Sequence, residues 1–271
     1  MSKRTLAHLA ILGLLALYML PIAWMLSTSL KPDDELFTEQ IRWIPNRIAW
    51  ENYQQALATF PFGLYLRNTV LIAGLTVVGA LLSCLPPAYA FARMRWRGRN
   101  FWFWVMLSTL MLPPQVTLLP VFLLFRQLGW VDTFLPLIVP AFLGNAFLIF
   151  MLRQFFLTLP QELIDAARLD GCSEWMILWR LVAPMSKPAV ATVALFSFVW
   201  AWTDFMNPLI YLNDSSKFTL AVGLQYFLGR HGEQWNLLMA AATVVTAPLV
   251  LLFLLTQRAY VRGITLTGLK G

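Results

Sequence analysis

The side chains that carry enzyme chemistry are few and scattered in this chain. Its two histidines are His8 and His231, and the topology argued below puts them near opposite faces of a membrane, too far apart to share a metal ion or haem. No His-Glu-x-x-His, Gly-x-Ser-x-Gly or Gly-x-x-x-x-Gly-Lys-Ser/Thr pattern occurs. The sequence therefore predicts no catalytic or metal site, and any ATP that drives its activity must be hydrolysed by another chain.

The composition indicates an all-α integral membrane protein. Hydrophobic residues make up 59% of the chain and charged residues 12%, whereas soluble domains carry about 25% charged residues. Runs of about 20 apolar residues are long enough to cross a bilayer as helices. Residues 1–271 are predicted to form a single transmembrane domain with six spans, at 6–26, 69–92, 101–125, 134–152, 189–212 and 237–256.

The distribution of Lys and Arg predicts the orientation, because cytoplasmic loops are enriched in both. One side holds thirteen: Lys3, Arg4, Arg93, Arg95, Arg97, Arg99, Arg153, Arg168, Arg180, Lys187, Arg258, Arg262 and Lys270. The other holds seven: Lys31, Arg42, Arg47, Arg67, Arg126, Lys217 and Arg230. Both termini are therefore predicted to be cytoplasmic. The net charge of +7 comes from Lys and Arg residues that flank the membrane and meet anionic lipid headgroups. No nucleic-acid partner is expected.

Two further features concern the first span and the cysteines. The first span could be a cleaved signal peptide, since Lys3 and Arg4 precede it, but its apolar run exceeds the usual 7 to 15 residues, which favours an uncleaved anchor. Cys84 falls in a predicted span and Cys172 in a cytoplasmic loop, so no disulfide framework is expected.

A polar, helix-forming segment at 158–187 separates the fourth and fifth spans. Thr158 and Gln161 have capping-box spacing, and Pro160 fits the first turn of a helix through Glu162 to about Leu169. Gly171 suits the left-handed residue that ends such a helix. Ser173 is then predicted to cap a second helix, and Pro184 to stop it.

The two short helices present different surfaces. Ala166 and Ala167, beside Gly171, form a small-residue patch that another surface can approach closely. The second helix carries an apolar stripe at helical spacing, formed by Trp175, Leu178, Trp179 and Val182. The alternative interpretation of this stripe is that the helix lies on the bilayer interface.

At this point the residues resemble a known family. The segment DAARLDGCSEWMILWRLVAPMSKP is similar to the EAA loop of ABC importer permeases, with Asp165, Ala166 and Ala167 as the triplet and Gly171 as the glycine. Asp165 replaces the more usual Glu, and Cys172 stands where Ala is common. The segments WENYQQAL, LPPQVTLLPVF, WTDFMNPLIYL and QRAYVRGITLTGLKG resemble the carbohydrate permeases of that family, so nearly the whole chain is covered.

The resemblance implies a MetI-like, type I ABC importer permease in the bacterial cytoplasmic membrane. Such a subunit pairs with a second, similar permease and carries two ATPase subunits, which use ATP and Mg²⁺; this chain itself is expected to bind no cofactor. An extracytoplasmic binding protein delivers the substrate, here a sugar, oligosaccharide, polyol or sugar phosphate. In this family the loop docks on the ATPase, which assigns coupling to Glu162, Asp165, Ala166, Ala167, Asp170, Gly171 and Pro184.

Candidates for the translocation path come from polar residues beside prolines. Pro208 removes the hydrogen bond that its N–H would make to the Asp204 carbonyl, so the fifth span is expected to open there. An ionisable group at such depth usually faces the bundle interior, which makes Asp204 and Asn207 path candidates. Equally, Asp204 could only satisfy freed backbone groups or a tryptophan N–H. Gln115 is a third candidate, next to Pro113 and Pro114, in the interrupted third span.

Two rival classes are considered. A self-sufficient secondary transporter would show paired repeats and ion-binding residues in several spans, whereas this chain places one carboxylate inside a predicted span. An intramembrane enzyme would need a nucleophile and base, or a metal set, within reach of each other, and the sequence offers neither.

Overall fold

The computed structural model describes residues 3–37, 42–228 and 234–267, and within these ranges the secondary structure is entirely helical. The predictions that involve Arg230, His231 and Lys270 lie outside the described residues. In chain order the α-helices are α1 (Lys3–Ser29), α2 (Glu51–Thr59), α3 (Phe62–Arg93), α4 (Arg99–Ser108), α5 (Pro114–Gln127), α6 (Leu135–Ile138), α7 (Ala146–Phe156), α8 (Gln161–Leu169), α9 (Glu174–Ile177), α10 (Ala183–Met185), α11 (Lys187–Thr203), α12 (Met206–Tyr211), α13 (Leu220–Gly223) and α14 (Trp235–Thr267). Five 3-10 turns lie at Asp33–Glu35, Thr109–Met111, Val139–Leu143, Ser215–Lys217 and Leu224–Phe227, and a π-helical segment covers Leu178–Val182.

Four stretches in the described residues are long and apolar enough to cross a membrane, and the number rises to six if two bent helix pairs each count as one span. The four stretches are Ala7–Ser29, Phe62–Arg93, Leu135–Phe156 and Trp235–Gln257. The bent pairs are Arg99–Met111 with Pro114–Gln127, at 96°, and Glu174–Met185 with Lys187–Thr203, at 86°.

A proline lies at the break between α4 and α5, whereas other prolines lie inside continuous helices. The chain turns between α4 and α5 where Leu112 and Pro113 adopt extended backbone conformations. By contrast, Pro120 lies inside α5, and Pro86 and Pro87 inside α3, without ending either helix. Membrane helices tolerate such prolines where neighbouring groups satisfy the backbone. The predicted third span, 101–125, thus consists of two helices that meet at Pro113.

The described chain forms two compact units, and the first contains 1–63 and 222–251. Its polar centre is built on the Asn236 amide, which donates to the Asp33 Oδ1 at 2.7 Å and to the Lys31 carbonyl at 3.3 Å. The Asn52 amide donates to the carbonyls of Ser29 at 2.9 Å and Lys31 at 2.8 Å. These bonds satisfy the carbonyl groups where the chain leaves α1, at which no further helical turn supplies donors.

The second unit contains 64–221 and 252–271, and its core joins α3, α7, the polar segment and α11. Its most enclosed side chains are Cys84, Leu85, Ala88, Tyr89, Leu148, Leu152, Phe156, Ile164, Ile177, Leu178, Val182 and Val193. The Phe142 ring packs against the backbone of α3 at Gly79. A side chain at this position would clash, because an added Cβ would lie 2.6 Å from the Phe142 Cδ2. Small residues of this kind let membrane helices pack against neighbouring backbone.

A hydrogen-bonded tie holds the chain after α12 to the connection between α5 and α6. The Asp132 carboxylate accepts from the backbone N–H groups of Asn213 and Asp214, each at 3.0 Å, and from the Lys217 ammonium at 2.7 Å. The Asp214 N–H, the Lys217 ammonium and the Asn213 N–H together lower the pKa of Asp132 to about 2. Asp132 itself has φ +62°, a left-handed conformation that Asp tolerates better than most residues.

Candidate functional site

The first helix of the polar loop, residues 158–187, begins differently from its predicted cap. The N-cap position of α8 is Pro160, which makes no side-chain capping bond. Thr158 lies two residues earlier, so its hydroxyl donates backwards to the Phe155 carbonyl at 2.7 Å, in the last turn of α7. The predicted capping box between Thr158 and Gln161 is therefore wrong, although the helix at Gln161–Leu169 is confirmed.

The turn after α8 matches its prediction. Gly171 has φ +78°, which glycine adopts without the strain that a Cβ introduces. Ser173 caps the next helix by accepting the Met176 N–H at 3.3 Å. The turn thus fixes the direction in which the two short helices leave each other.

The helix that begins at Glu174 continues through Pro184 to Met185, so the prediction that Pro184 stops it is wrong. The π-helical segment Leu178–Val182 replaces the ordinary i→i−4 pairing just before the proline. The missing N–H of Pro184 therefore falls where that pairing is already altered. The chain bends instead at Ser186, before α11 starts.

One face of α8 is anchored and another is exposed. Ile164 is buried in the core of the second unit, and Ala167 packs against that core. Leu163, Ala166 and Leu169 are exposed, and Leu169 is 90% exposed although it is apolar. The acidic residues predicted for coupling, Glu162, Asp165 and Asp170, are exposed too, as are Gly171 and Pro184.

Sequence reasoning overlooked Leu163 and Leu169 as members of this exposed face. The sequence signal for this face is the pair of large apolar side chains that flank Ala166 on a short polar helix, since exposed apolar residues of this kind mark interaction sites. We call Leu163, Ala166, Leu169 and Gly171 the docking face.

An ionic network ties the two short helices of the loop to α3. The Arg168 guanidinium donates to Glu174 Oε1 at 2.8 Å and to Asp165 Oδ1 at 3.0 Å. The Tyr89 hydroxyl donates to the other Glu174 oxygen. Hydrogen bonding from Arg168 holds the pKa of Glu174 below its usual range. This network links residues about 85 positions apart in the chain, and no local pattern predicts it.

Arg93, at the end of α3, joins three further elements. Its guanidinium donates to the Phe156 carbonyl at 3.0 Å, to Gln161 Oε1 at 2.7 Å and to the Leu159 carbonyl. A second arginine, Arg153 of α7, donates to the Phe91 carbonyl at 3.2 Å. These bonds connect α8 with both α3 and α7.

The predicted stripe on the second short helix is divided. Leu178 and Val182 are buried in the core, at 1% and 0% exposure. Trp175 is 63% exposed and packs edge-on against Trp179, with ring centroids 5.6 Å apart. Half of the stripe is therefore a packing surface, and the exposed Trp175 is its one outward aromatic residue.

The fifth predicted span opens at Asp204, as the position of Pro208 predicted. Helix α11 ends at Thr203, Asp204 is extended, and α12 begins at Met206. The Asp204 carboxylate accepts from the Asn207 N–H at 3.1 Å and from the Asn207 side-chain amide at 2.8 Å. Asp204 thus satisfies a freed backbone donor and at the same time orients the Asn207 amide.

Two cavities in the second unit receive the predicted path residues. Gln115 and Asn207, from α5 and α12, both line a cavity of about 390 Å³, together with Thr117 and Tyr211. Asp204 lines a separate cavity of about 150 Å³. The structure therefore brings Gln115 and Asn207 together, and it connects Asp204 to them through its hydrogen bond to Asn207.

Several long apolar helices and two bent helix pairs are the features of a multi-pass membrane protein. Residues 76–266 match the family described as "Binding-protein-dependent transport system inner membrane component". The chain belongs to this family, and it is an ABC transporter permease component rather than an enzyme. Membership places it in the inner membrane and implies a partner permease, an ATPase and a substrate-binding protein.

Several curated relatives share nearly the full length. The chain is 34% identical to the arabinooligosaccharides transport system permease protein AraQ of Halalkalibacterium halodurans, over 93% of this chain and 91% of the relative. It is 32% identical to the sn-glycerol-3-phosphate transport system permease protein UgpE of Yersinia pestis, with the same coverage of 93% and 91%.

A solved structure confirms the fold. A chain from a bacterial ABC transporter involved in the import of the acidic polysaccharide alginate superposes with a TM-score of 0.83, at 24% identity, over 95% of this chain and 98% of that one. The all-helical MetI-like permease fold predicted from the sequence is thereby confirmed. The comparisons give no support to the secondary-transporter alternative.

Proposed function

We propose that this chain forms half of the translocation pathway of an ABC importer for a carbohydrate: a sugar, oligosaccharide, polyol or sugar phosphate. The support is that relatives over 93% of the chain are named for arabinooligosaccharides and for sn-glycerol-3-phosphate. Both ligands carry hydroxyl groups, which amide, hydroxyl and carboxylate side chains recognise.

The proposed assembly contains this chain, a homologous second permease, two ATPase subunits that use ATP and Mg²⁺, and an extracytoplasmic binding protein. The chain crosses the membrane six times with both termini in the cytoplasm. The excess of Lys and Arg on that side supports this orientation. In the proposed assembly, residues 158–187 lie beside the ATPase as the coupling loop.

The observation that carries the coupling role is the docking face. Its apolar residues, Leu169 above all, are exposed on a helix whose opposite side is fixed by Ile164 and by the Arg168–Glu174 network. Because the other side of the helix is held in place, a partner protein that binds this exposed face would displace the whole helix when it moves. We assign the coupling contacts to Leu163 and Leu169 of this face, together with Glu162, Asp165, Ala166, Ala167, Asp170, Gly171 and Pro184.

Coupling then works as a change between two packed arrangements. When the ATPase closes on nucleotide, it displaces α8, and the bonds of Arg93 to Gln161 and to the Phe156 carbonyl transmit the displacement to α3 and α7. Rigid elements that move in this way open the pathway alternately to the two sides of the membrane.

We place the pathway of this subunit at Gln115, Asn207 and Asp204. The Gln115 and Asn207 amides both donate and accept hydrogen bonds, as sugar hydroxyls do, and they share the 390 Å³ cavity. Asp204 fixes the direction of the Asn207 amide, so its own contribution to recognition is expected to act through that residue.

Purification in mild detergent from the native host tests the proposal. An ATPase, a second permease and nucleotide-dependent transport by the assembled complex are the expected results. The binding protein, isolated with its natural ligand, would identify the carbohydrate. Solute uptake by the isolated chain in vesicles without ATP would instead establish a secondary transporter.

A further inference from the structure

A cavity of about 170 Å³ lies in the first unit and is lined by residues of neither the coupling loop nor the proposed path. It is formed where α1 ends and meets the start of α14. The lining includes Trp24, Thr28, Lys31, Leu36, Phe37 and Met239. Lys31 and Thr28 bring an ammonium and a hydroxyl group to the cavity, and Trp24 and Trp235 add indole rings to its otherwise apolar walls.

Lys31 is buried without an ionic partner in the described residues. The side chain is 3% exposed, and the contact of its ammonium is the Trp24 ring, 4.3 Å from the ring centroid. A ring face attracts the charge but does not accept its N–H groups as an anion does. Burial lowers the pKa of Lys31, an effect that Glu35 only partly offsets. An anion bound at this place would counter the cost of desolvating the ammonium.

Thr28 adds a second unused donor to the same cavity. The residue is 6% exposed, and its hydroxyl has no hydrogen-bond partner among the described residues. Buried polar groups in native proteins are nearly always paired. An oxygen-rich group that lies between the Lys31 ammonium and the Thr28 hydroxyl would satisfy both.

The position in the fold indicates where the anion comes from. Helix α1 is apolar and exposed along its membrane-length run, so its end lies at the bilayer interface, where phospholipid phosphates are found. Leu36, Phe37 and Met239 offer apolar walls to the chains attached to such a phosphate. Trp24 is of the type enriched at this depth.

Charge favours a phosphate diester over free phosphate. The acidic residues Asp33, Asp34 and Glu35 lie two to four positions after Lys31. They repel a second negative charge, and inorganic phosphate carries one near neutral pH whereas a phospholipid phosphate diester does not. We propose that this cavity binds the phosphate group of a membrane phospholipid headgroup, with Lys31 and Thr28 as its donors.

The test uses the full-length chain, purified with its partner subunits and stripped of lipid. Dioleoylphosphatidylethanolamine, dioleoylglycerol and inorganic phosphate are added separately, and the midpoint of thermal unfolding is followed together with native mass spectrometry. The phospholipid is expected to raise the midpoint and to appear as bound mass, while dioleoylglycerol, which has the same acyl chains and no phosphate, does neither.

Variants assign the effect to the cavity. Lys31→Gln is expected to abolish the phospholipid shift, Thr28→Val to reduce it and Lys31→Arg to preserve it. Arg67→Gln removes an exposed cation on the same predicted side of the membrane, and it should leave the shift unchanged. If Lys31→Gln fails to fold, Thr28→Val and Lys31→Arg carry the test.

Each outcome decides the proposal. A shift by the phospholipid that depends on Lys31 supports it. If inorganic phosphate alone reproduces the Lys31-dependent shift, the phosphate chemistry holds and the source is free phosphate. Equal shifts in the wild type and the Lys31 and Thr28 variants, or equal shifts with dioleoylglycerol, overturn it.

Discussion

At the scale of single residues, Gly171 offers the sharpest test of the docking face. An added Cβ meets no atom of this chain within 4 Å, and Asp tolerates the left-handed backbone. Gly171→Asp is therefore expected to leave the protein folded in the membrane, yet to lower ATP-coupled uptake about tenfold or more, which corresponds to about 1.4 kcal/mol. Uptake and ATPase activity are measured on the same membranes.

Gly129 provides the matched control for this substitution. It has φ +69°, and an added Cβ there also meets no atom within 4 Å. It lies between α5 and α6, outside the proposed coupling loop at residues 158–187. Gly129→Asp should leave uptake near the wild-type level. Normal uptake by Gly171→Asp would remove Gly171 from the contact with the ATPase.

Asp204 can be separated into its two roles by a pair of substitutions. Asparagine retains an oxygen that accepts the Asn207 N–H but loses the charge, whereas alanine loses both. Asp204→Ala is expected to destabilise the start of α12 by about 1 kcal/mol, as the loss of a cap does. Asp204→Asn is expected to fold normally and to raise the substrate concentration needed for half-maximal uptake. Unchanged uptake by Asp204→Asn would leave Asp204 a purely structural role.

At the scale of elements, the Asp132 tie predicts a dependence on pH. Its folded-state pKa of about 2 lies below the ordinary value of 3.8. The tie therefore contributes stability above pH 3.8, and this contribution is lost as the pH falls through about 2. Limited proteolysis after acid exposure should show residues 213–217 protected in the wild type down to about this pH.

Asp132→Asn tests the same tie at neutral pH. Asparagine tolerates the positive φ of residue 132, but it cannot form the ion pair with Lys217. Faster cleavage at 213–217 than in the wild type is expected at neutral pH, with the difference disappearing as the pH falls through about 2, while Asp34→Asn, which changes an exposed carboxylate in the other unit, should change nothing. Equal protection in Asp132→Asn would show that the backbone contacts alone hold the loop.

Elements with local signals could be predicted from the sequence. The helix at 161–169, the left-handed Gly171, the Ser173 cap and the opening at Asp204 each depend on residues within one or two turns. The pairing of Tyr89 with Glu174, the contacts of Arg93 and the burial of Lys31 depend on segments far apart in the chain. The prediction that Pro184 ends its helix is wrong because the π-helical segment before it already alters the backbone hydrogen bonds that a proline would break.

At the scale of the whole molecule, the two cysteines can report the orientation. Cys84 is fully buried, and Cys172 is partly exposed in the proposed coupling loop. In the chain produced without its ATPase, a membrane-impermeant maleimide is expected to label Cys172 in inside-out vesicles and not in intact spheroplasts. Cys84→Ala should give the same result, and Cys172→Ser should remove it.

A cysteine at an exposed position on the other side completes the measurement. Ser216 lies in the exposed connection after α12, and Ser216→Cys in a Cys172→Ser background should be labelled from outside intact spheroplasts. Labelling of both positions from the same side would contradict the proposed topology, while labelling in the reversed pattern would invert it.

The π-helical segment Leu178–Val182 also indicates how a helix of this protein can gain or lose one residue. A π turn holds one residue more than an α turn, so it corresponds to a single inserted residue that the surrounding helix has absorbed. Deleting the exposed Arg180 is expected to restore an ordinary helix and to keep Leu178 in the core. A sequence without this residue would then differ from this one by a one-position gap in alignment, with the architecture intact.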